Sequence, residues 1–402
     1  MSAEGSKQPD EAAPARPRAL PLVGASRPAE PGALVGAPRP AEPGALADAP
    51  RPAEPGALAD ALAARTAPAE LHEGRGAGLR CTACAHRCVL GDEGRVGACG
   101  VRFVRDGALR APFGYVARRY VRPVETNTMY HVRPGARALT FGMFGCDLRC
   151  GYCHNARLSQ ALRDGLELDR PIDLSAGALV GEALAAGAEV LCAAYNEPLI
   201  AAEWVRAVFA EAKAAGLVTG LVSDGHTTAE ALSYLRPVTD VFRVDLKGAT
   251  AAQYRALGGR REPVLEALRE AKRLGYWVEV VTLVVPGFND EPGGLRDIAA
   301  EIAAVDPAIP WHLNAFFPRY KLADRPRTDA LTLLSAAGTG YARGLSFVYA
   351  GNLASELGEL CHTRCPRCRA IVVERHNYET RACRVERGRC PACGEALPGL
   401  WR

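Results

Sequence analysis

The chain of 402 residues contains no stretch of 18 uncharged apolar residues, so no segment reads as a membrane-spanning helix. Its first 30 residues carry no secretory apolar core, and export is not expected. A surplus of one charge is lacking too: 49 Lys and Arg against 45 Asp and Glu leave +4. So small an imbalance gives no electrostatic case for nucleic acid or an acidic membrane surface as partner. What the chain does hold is fourteen cysteines. They fall in short clusters without an export signal, which predicts a reducing cytoplasm where thiols ligate metal instead of pairing as disulfides.

The length suggests about two to three structural units. From Arg27 the segments RPAEPGALVGAP, RPAEPGALADAP and RPAEPGALADAL repeat every 12 residues. Such a unit is too short and too rich in Pro and Gly to bury a core, so residues 1–66 are expected to form a disordered tail. The expected order after it is a cysteine-rich unit (67–110), a core (111–352) and a second cysteine-rich unit (353–402). In the core, the apolar runs RALTFGMFG, GAEVLCAAYNEP, GLVTGLVSDG, VFRVDLKG, WVEVVTLVVPG, WHLNAFFP and LSFVYAGN alternate with Ala-, Leu-, Glu- and Arg-rich helical stretches. This alternation predicts an α/β fold of parallel strands and crossover helices. Six or seven repeats suit a partial (β/α)6-type barrel, with an open flavodoxin-type sheet as the competing topology.

Directly after the first run stands Cys146-x3-Cys150-x2-Cys153, in FGMFGCDLRCGYCHN. Three thiolates on one loop can hold three irons of a 4Fe-4S cluster, and the missing fourth cysteine leaves one iron open for chemistry. A zinc knuckle is the alternative, but closed structural zinc sites need four ligands. The same spacing recurs at Cys361-x3-Cys365-x2-Cys368, so spacing alone does not decide. There Arg367 stands where the first loop has Tyr152, and Cys365 and Cys368 match Cys390-x2-Cys393 as a zinc-ribbon-like tetrad. Rubredoxin-like iron is the alternative metal, and Cys361 and Cys383 are left over. A third set, Cys81-x2-Cys84-x-His86-x-Cys88 followed by Cys99, could close one zinc site or a second iron-sulfur cluster able to pass electrons to the loop.

The loop, with Tyr152 before its third cysteine, resembles the radical S-adenosylmethionine (SAM) superfamily. The resemblance implies that the open iron chelates the amino and carboxylate groups of SAM. An electron from a donor such as flavodoxin or ferredoxin would then cleave the sulfonium to a 5'-deoxyadenosyl radical. In β/α barrels the chemistry gathers at strand ends, and there fall Glu197, Ser223, Asp224, Asp245 and Lys247, with His312 and Asn314 on the sixth strand. A carboxylate such as Glu197 can accept from the SAM amine while Lys247 answers its carboxylate. YNEP stands where the family has Gly-Gly-Glu-Pro, with Tyr195 and Asn196 replacing the glycines. VDLK resembles the Asp-x-Lys segment of pyruvate formate-lyase activating enzymes, which contacts SAM and an active-site cation. The cofactor-binding residues expected on these grounds are Tyr152, Glu197, Ser223, Asp245, Lys247 and His312.

Several blocks in order narrow the resemblance: CTACAHRCVLGDEGRVGACGVR, VETNTMYHVRPGARALTFGMFGCDLRCGYCHN, VYAGN and CPACGEALPGLW are similar to the AmmeMemoRadiSam group of activating-enzyme-like proteins. That group implies Memo-type and AMMECR-type partners. The CHN ending is like that of glycyl-radical activating enzymes, which take hydrogen from a glycine of a protein. Hydrogen abstraction by a radical SAM enzyme, with a protein as one candidate substrate, is the expected function. Modification of a small molecule or RNA is the alternative. A non-catalytic zinc-ribbon adaptor is the reading from another class, and it has no use for an open iron.

Overall fold

The computed structural model describes residues 56–75, 78–166, 170–350 and 352–402. The repeats up to residue 55 lie outside the described residues. At the centre is an eight-stranded sheet. From Arg137–Gly142 it proceeds through Val190–Ala193, Val218–Ser223, Val241–Asp245, Trp277–Val284 and Trp311–Ala315 to Val348–Tyr349, every neighbour parallel and in chain order. A flavodoxin-type sheet reverses its strand order near the first strand; this sheet does not, so the barrel-like alternative holds. The parallel strands number seven, and Arg118–Pro123 adds an antiparallel strand beside Arg137–Gly142.

Alternate residues of each strand face opposite ways. Phe141, Leu191, Leu221, Phe242 and Val280 belong to the core beneath the helices. Helix Ala202–Ala214 turns Trp204, Val205, Val208, Phe209 and Ala212 onto them, a stripe one and two turns apart. Each such large side chain contributes roughly 1.5–3 kcal/mol by leaving water. Helix starts follow local chemistry: Thr228 accepts from the Ala231 amide, and Thr250 and Gln253 form a reciprocal capping box.

The other strand face, with Ala138, Val190, Cys192 and Val241, packs on Met129 and Val132 and forms the barrel floor. Gly220 keeps that contact close, since a Cβ there would lie 3.0 Å from the Met129 Cε and press on it. A buried carboxylate organises the same floor: Glu279 accepts from the amides of Tyr130 and His131 (both 2.9 Å), from Trp277 Nε1 (3.0 Å) and from His312 Nε2 (2.6 Å). The C-terminal unit, strands Thr363–Arg364, Ile371–His376 and Glu379–Cys383, closes the floor from outside. Arg375 donates to the Tyr130 carbonyl at 2.6 Å, Leu400 to the His131 carbonyl at 2.7 Å, and His131 Nδ1 to the Pro398 carbonyl at 2.7 Å.

At the other end of the chain, the described residues include helix Ala57–Ala63, which starts in the third repeat and falls inside the expected tail of residues 1–66. The first two repeats end in Pro38 and Pro50, whereas the third ends in Leu62. That change removes a helix breaker and supplies a partner one turn from Leu58, so both leucines are buried. Strand Thr66–Pro68 pairs with Ala108–Pro112, which also crosses the expected boundary at 110. The unit is fastened to the barrel by Arg102, 1% exposed, which pairs with Glu203 and donates to the Ile200 carbonyl at 2.7 Å. Among the described residues, no helix is long and apolar enough to cross a membrane.

Candidate functional site

A cavity of about 220 Å³ opens where the parallel strands end, and Cys146, Cys150 and Cys153 all line it. The loop that carries them is held by its backbone. Arg163 donates to the carbonyls of Cys146, Leu148 and Ala98, and Gln160 to that of Leu148 at 3.0 Å. Gly145 permits the entry, with φ 89 and no room for a Cβ, which would lie 2.8 Å from the Cys99 carbonyl. Burial pushes the Cys150 thiol up to about 12, with Lys247 pulling the other way, and burial holds Cys146 well above the ordinary range.

The opposite wall is ionic. Asp245 accepts from Lys247 Nζ at 2.9 Å and from Arg243, whose Nε also donates to Thr128 Oγ1 at 2.9 Å. Burial works to raise the Asp245 pKa, but Arg243 and then Lys247 outweigh it and hold the carboxylate below its usual range. Asn314 lines the same cavity, and its buried carbonyl oxygen has no partner. Tyr152 lines it too, its ring 5.6 Å from Phe288 and its hydroxyl without a partner. Three thiols, a Lys/Asp/Arg group and an unanswered acceptor fit a cavity for an iron-sulfur cluster and a zwitterionic cofactor.

Glu197 also reaches the cavity, but its carboxylate is already engaged. It accepts from Ser223 Oγ (3.0 and 3.1 Å), the Asp224 amide (2.8 Å) and the Leu199 amide (3.0 Å), and is 2% exposed. Burial and then Asp224 raise its pKa well above normal. Its evident work is to fix the Ser223–Asp224 turn. Before it, Tyr195 takes φ 72, the left-handed backbone that glycine adopts freely. The turn keeps a glycine conformation at a non-glycine residue, and Asn196 Oδ1 steadies it by accepting from the Met143 amide at 3.0 Å.

His312 is the expected site residue that the structure places elsewhere. It is 1% exposed, bonded to Glu279 and stacked on Tyr349 at 5.0 Å in the barrel floor, outside the cavity lining. Arg243 was not singled out from sequence; the alternation in VFRVDLKG, which puts it on the face of Asp245, was the available signal.

The two outer cysteine sets differ. One sulfur from each of Cys365, Cys368, Cys390 and Cys393 lies within 4.8 Å of the others, with Cys365–Cys393 at 3.6 Å and Cys368–Cys390 at 3.7 Å. Such separations suit the four ligands of one tetrahedral metal ion. Among the described residues, Cys81, Cys84, Cys88 and Cys99 form no such group. Cys88 Sγ accepts from the Ala98 amide at 3.3 Å, while Cys81 Sγ faces Arg102 at 3.9 Å. None of the fourteen cysteines forms a disulfide.

Residues 141–296, from the end of the first parallel strand through the cysteine loop and beyond the fifth, match the family described as the Radical SAM superfamily. The chain is 31% identical over 323 residues to an uncharacterized protein of Methanocaldococcus jannaschii, covering 79% of this chain and 95% of that protein. It is 28% identical over 169 residues to the pyruvate formate-lyase-activating enzyme of Streptococcus mutans, covering 39% of this chain and 62% of the enzyme. Among solved structures, a radical SAM methyltransferase from Sphaerobacter thermophilus aligns with 64% of this chain and 77% of its own, at TM-score 0.44 and 13% identity.

Proposed function

Because the chain belongs to the radical SAM superfamily and is therefore an enzyme whose family uses a 4Fe-4S cluster and SAM, we propose that Cys146, Cys150 and Cys153 hold the cluster and that the cavity they line holds SAM. The observation that carries this reading is the shared cavity: three thiols on one wall, Lys247 and Asp245 on another, and the unanswered Asn314 oxygen between strands. When bound, the cluster supplies an electron and SAM the carbon radical that removes a substrate hydrogen. The chain's own residues orient. Lys247 offers charge to a carboxylate, Asn314 accepts from an amine or hydroxyl, Tyr152 packs beside the third cysteine, and Glu197 with Ser223 fixes the turn beneath.

The substrate class in this proposal is a protein segment of the kind that activating enzymes act on, a choice supported by the partial match to a pyruvate formate-lyase-activating enzyme. The AmmeMemoRadiSam resemblance extends the proposal to Memo-type and AMMECR-type partners, and the free cysteines to a reducing cytoplasm with a flavodoxin or ferredoxin as donor.

The test is anaerobic iron, sulfide and zinc analysis with a SAM-cleavage assay on the wild type and Cys150→Ala. About four irons and released 5'-deoxyadenosine, both lost in the variant, are expected. Zinc alone, with no cleavage, would sink the enzyme reading of this site.

A further inference from the structure

Behind the cysteine loop, three side chains from three segments converge outside the cavity lining: His86 of the N-terminal unit, Asp147 next to Cys146, and His226 after the Val218–Ser223 strand. His226 Nδ1 lies 2.8 Å from Asp147 Oδ2, and His86 Nε2 lies 3.1 Å from the Asp147 carbonyl oxygen. The two imidazoles meet edge to face at 4.8 Å, and one ligand atom from each of the three residues lies within 4.8 Å of the others. Asp147 and His226 are each 1% exposed. A simple hydrogen-bonded pair leaves this cluster unsatisfied, because Asp147 Oδ1 and His226 Nε2 are buried without a partner.

Charge points the same way. Asp147, Asp224 and Glu197 are buried carboxylates at close quarters: Asp224 Oδ2 is 3.8 Å from Cys146 Sγ, and the Asp224 amide donates to Glu197. Of the cations nearby, Arg163 is turned to carbonyls of the loop, Arg260 to the Ala85 carbonyl at 2.7 Å, and Lys247 is engaged by Asp245 at 2.9 Å. Buried carboxyl groups either keep a proton, as burial favours for all three here, or take a positive partner. Two imidazoles and one carboxylate are donors that suit zinc or ferrous iron, and three protein ligands leave further positions for water or a main-chain carbonyl.

We infer that His86, Asp147 and His226 form a binding site for one divalent transition cation, distinct from the three-cysteine loop and from the C-terminal tetrad. The ion pins the N-terminal unit to the loop. The same junction already carries Ala85 N to the His226 carbonyl at 3.1 Å, Thr227 Oγ1 to the Ala83 carbonyl at 3.2 Å and Thr228 Oγ1 to the Thr82 carbonyl at 2.5 Å. It gives a use to the histidine inside Cys84-x-His86-x-Cys88.

The test counts zinc and iron per chain, after removal of loosely held ions, in the full-length wild type, His86→Gln and His226→Asn. Each variant is expected to lose one equivalent while keeping the tetrad metal and a wild-type circular dichroism spectrum. With Co²⁺ as probe, the lost ion should lack the thiolate charge-transfer absorption that the tetrad shows. Metal content equal to wild type in a folded variant overturns the site and leaves a hydrogen-bonded brace. Should His226→Asn not fold, His86→Gln, at a half-buried position, decides alone. SAM cleavage plays no part in the readout, so this inference and the proposed activity fail separately.

Discussion

In the loop after the first parallel strand, Cys146, Cys150 and Cys153 face a common cavity. Cys361, with the same spacing to Cys365 and Cys368, turns away instead: it is fully buried, and its thiol donates to the Ala350 carbonyl at 3.8 Å. Its two spacing partners meet a second cysteine pair, Cys390 and Cys393, and the fourfold set closes on itself. The loop meets no such pair; Lys247, Asp245 and Asn314 stand opposite. What a cysteine motif does is therefore set by what the fold brings against it. A fourth thiol makes a closed structural centre, and a polar wall leaves a coordination position for chemistry.

The sharpest way to break this comparison is to exchange the losses. Cys153→Ala should abolish SAM cleavage and remove the loop iron while the tetrad keeps its metal. Cys368→Ser should empty the tetrad and leave the loop iron. Metal analysis and 5'-deoxyadenosine release read both, and the reverse result would end the distinction.

A smaller effect belongs to the barrel floor. Burial pushes His131 down to about 4, so the folded floor refuses a proton that the unfolded chain accepts below 6.5. The contribution of His131 is complete above that value and is lost as pH drops toward 4, roughly 3 kcal/mol from this group alone. Urea melts at pH 7 and pH 4.5 should show it through tryptophan fluorescence, since Trp401 and Trp277 lie 5.1 and 5.8 Å from His131. The smallest effect belongs to Cys361→Ala, expected to cost about 1 kcal/mol and to leave the iron and the tetrad metal unchanged. Loss of either metal in that variant would restore Cys361 as a ligand.

The sheet was legible because each apolar run ended at a turn and a helical pattern followed. The strand ends named from sequence do meet at one cavity, except His312. A period of two tells which face of a strand a residue takes, but not its depth along the barrel axis. Asn314 and His312 share a face, and two residues of rise send one to the cavity and the other to the floor beside Glu279. Leu58 and Leu62 stand one turn apart and are buried in helix Ala57–Ala63, which the boundary drawn at residue 66 left within the tail. The cluster of His86, Asp147 and His226 joins residues far apart in the chain, and no local spacing announces it.

The latching of the floor by Pro398 and Leu400 has a consequence for how the molecule is made. His131 and Pro398 are 267 residues apart, and Tyr130 and Arg375 245. Contacts of such span form late, because a long loop must close before it is rewarded. During synthesis the strands can assemble in order, but their floor stays open until residue 398 has been made. Through that interval the barrel stands without the Pro398 and Leu400 contacts that hold His131 in its floor.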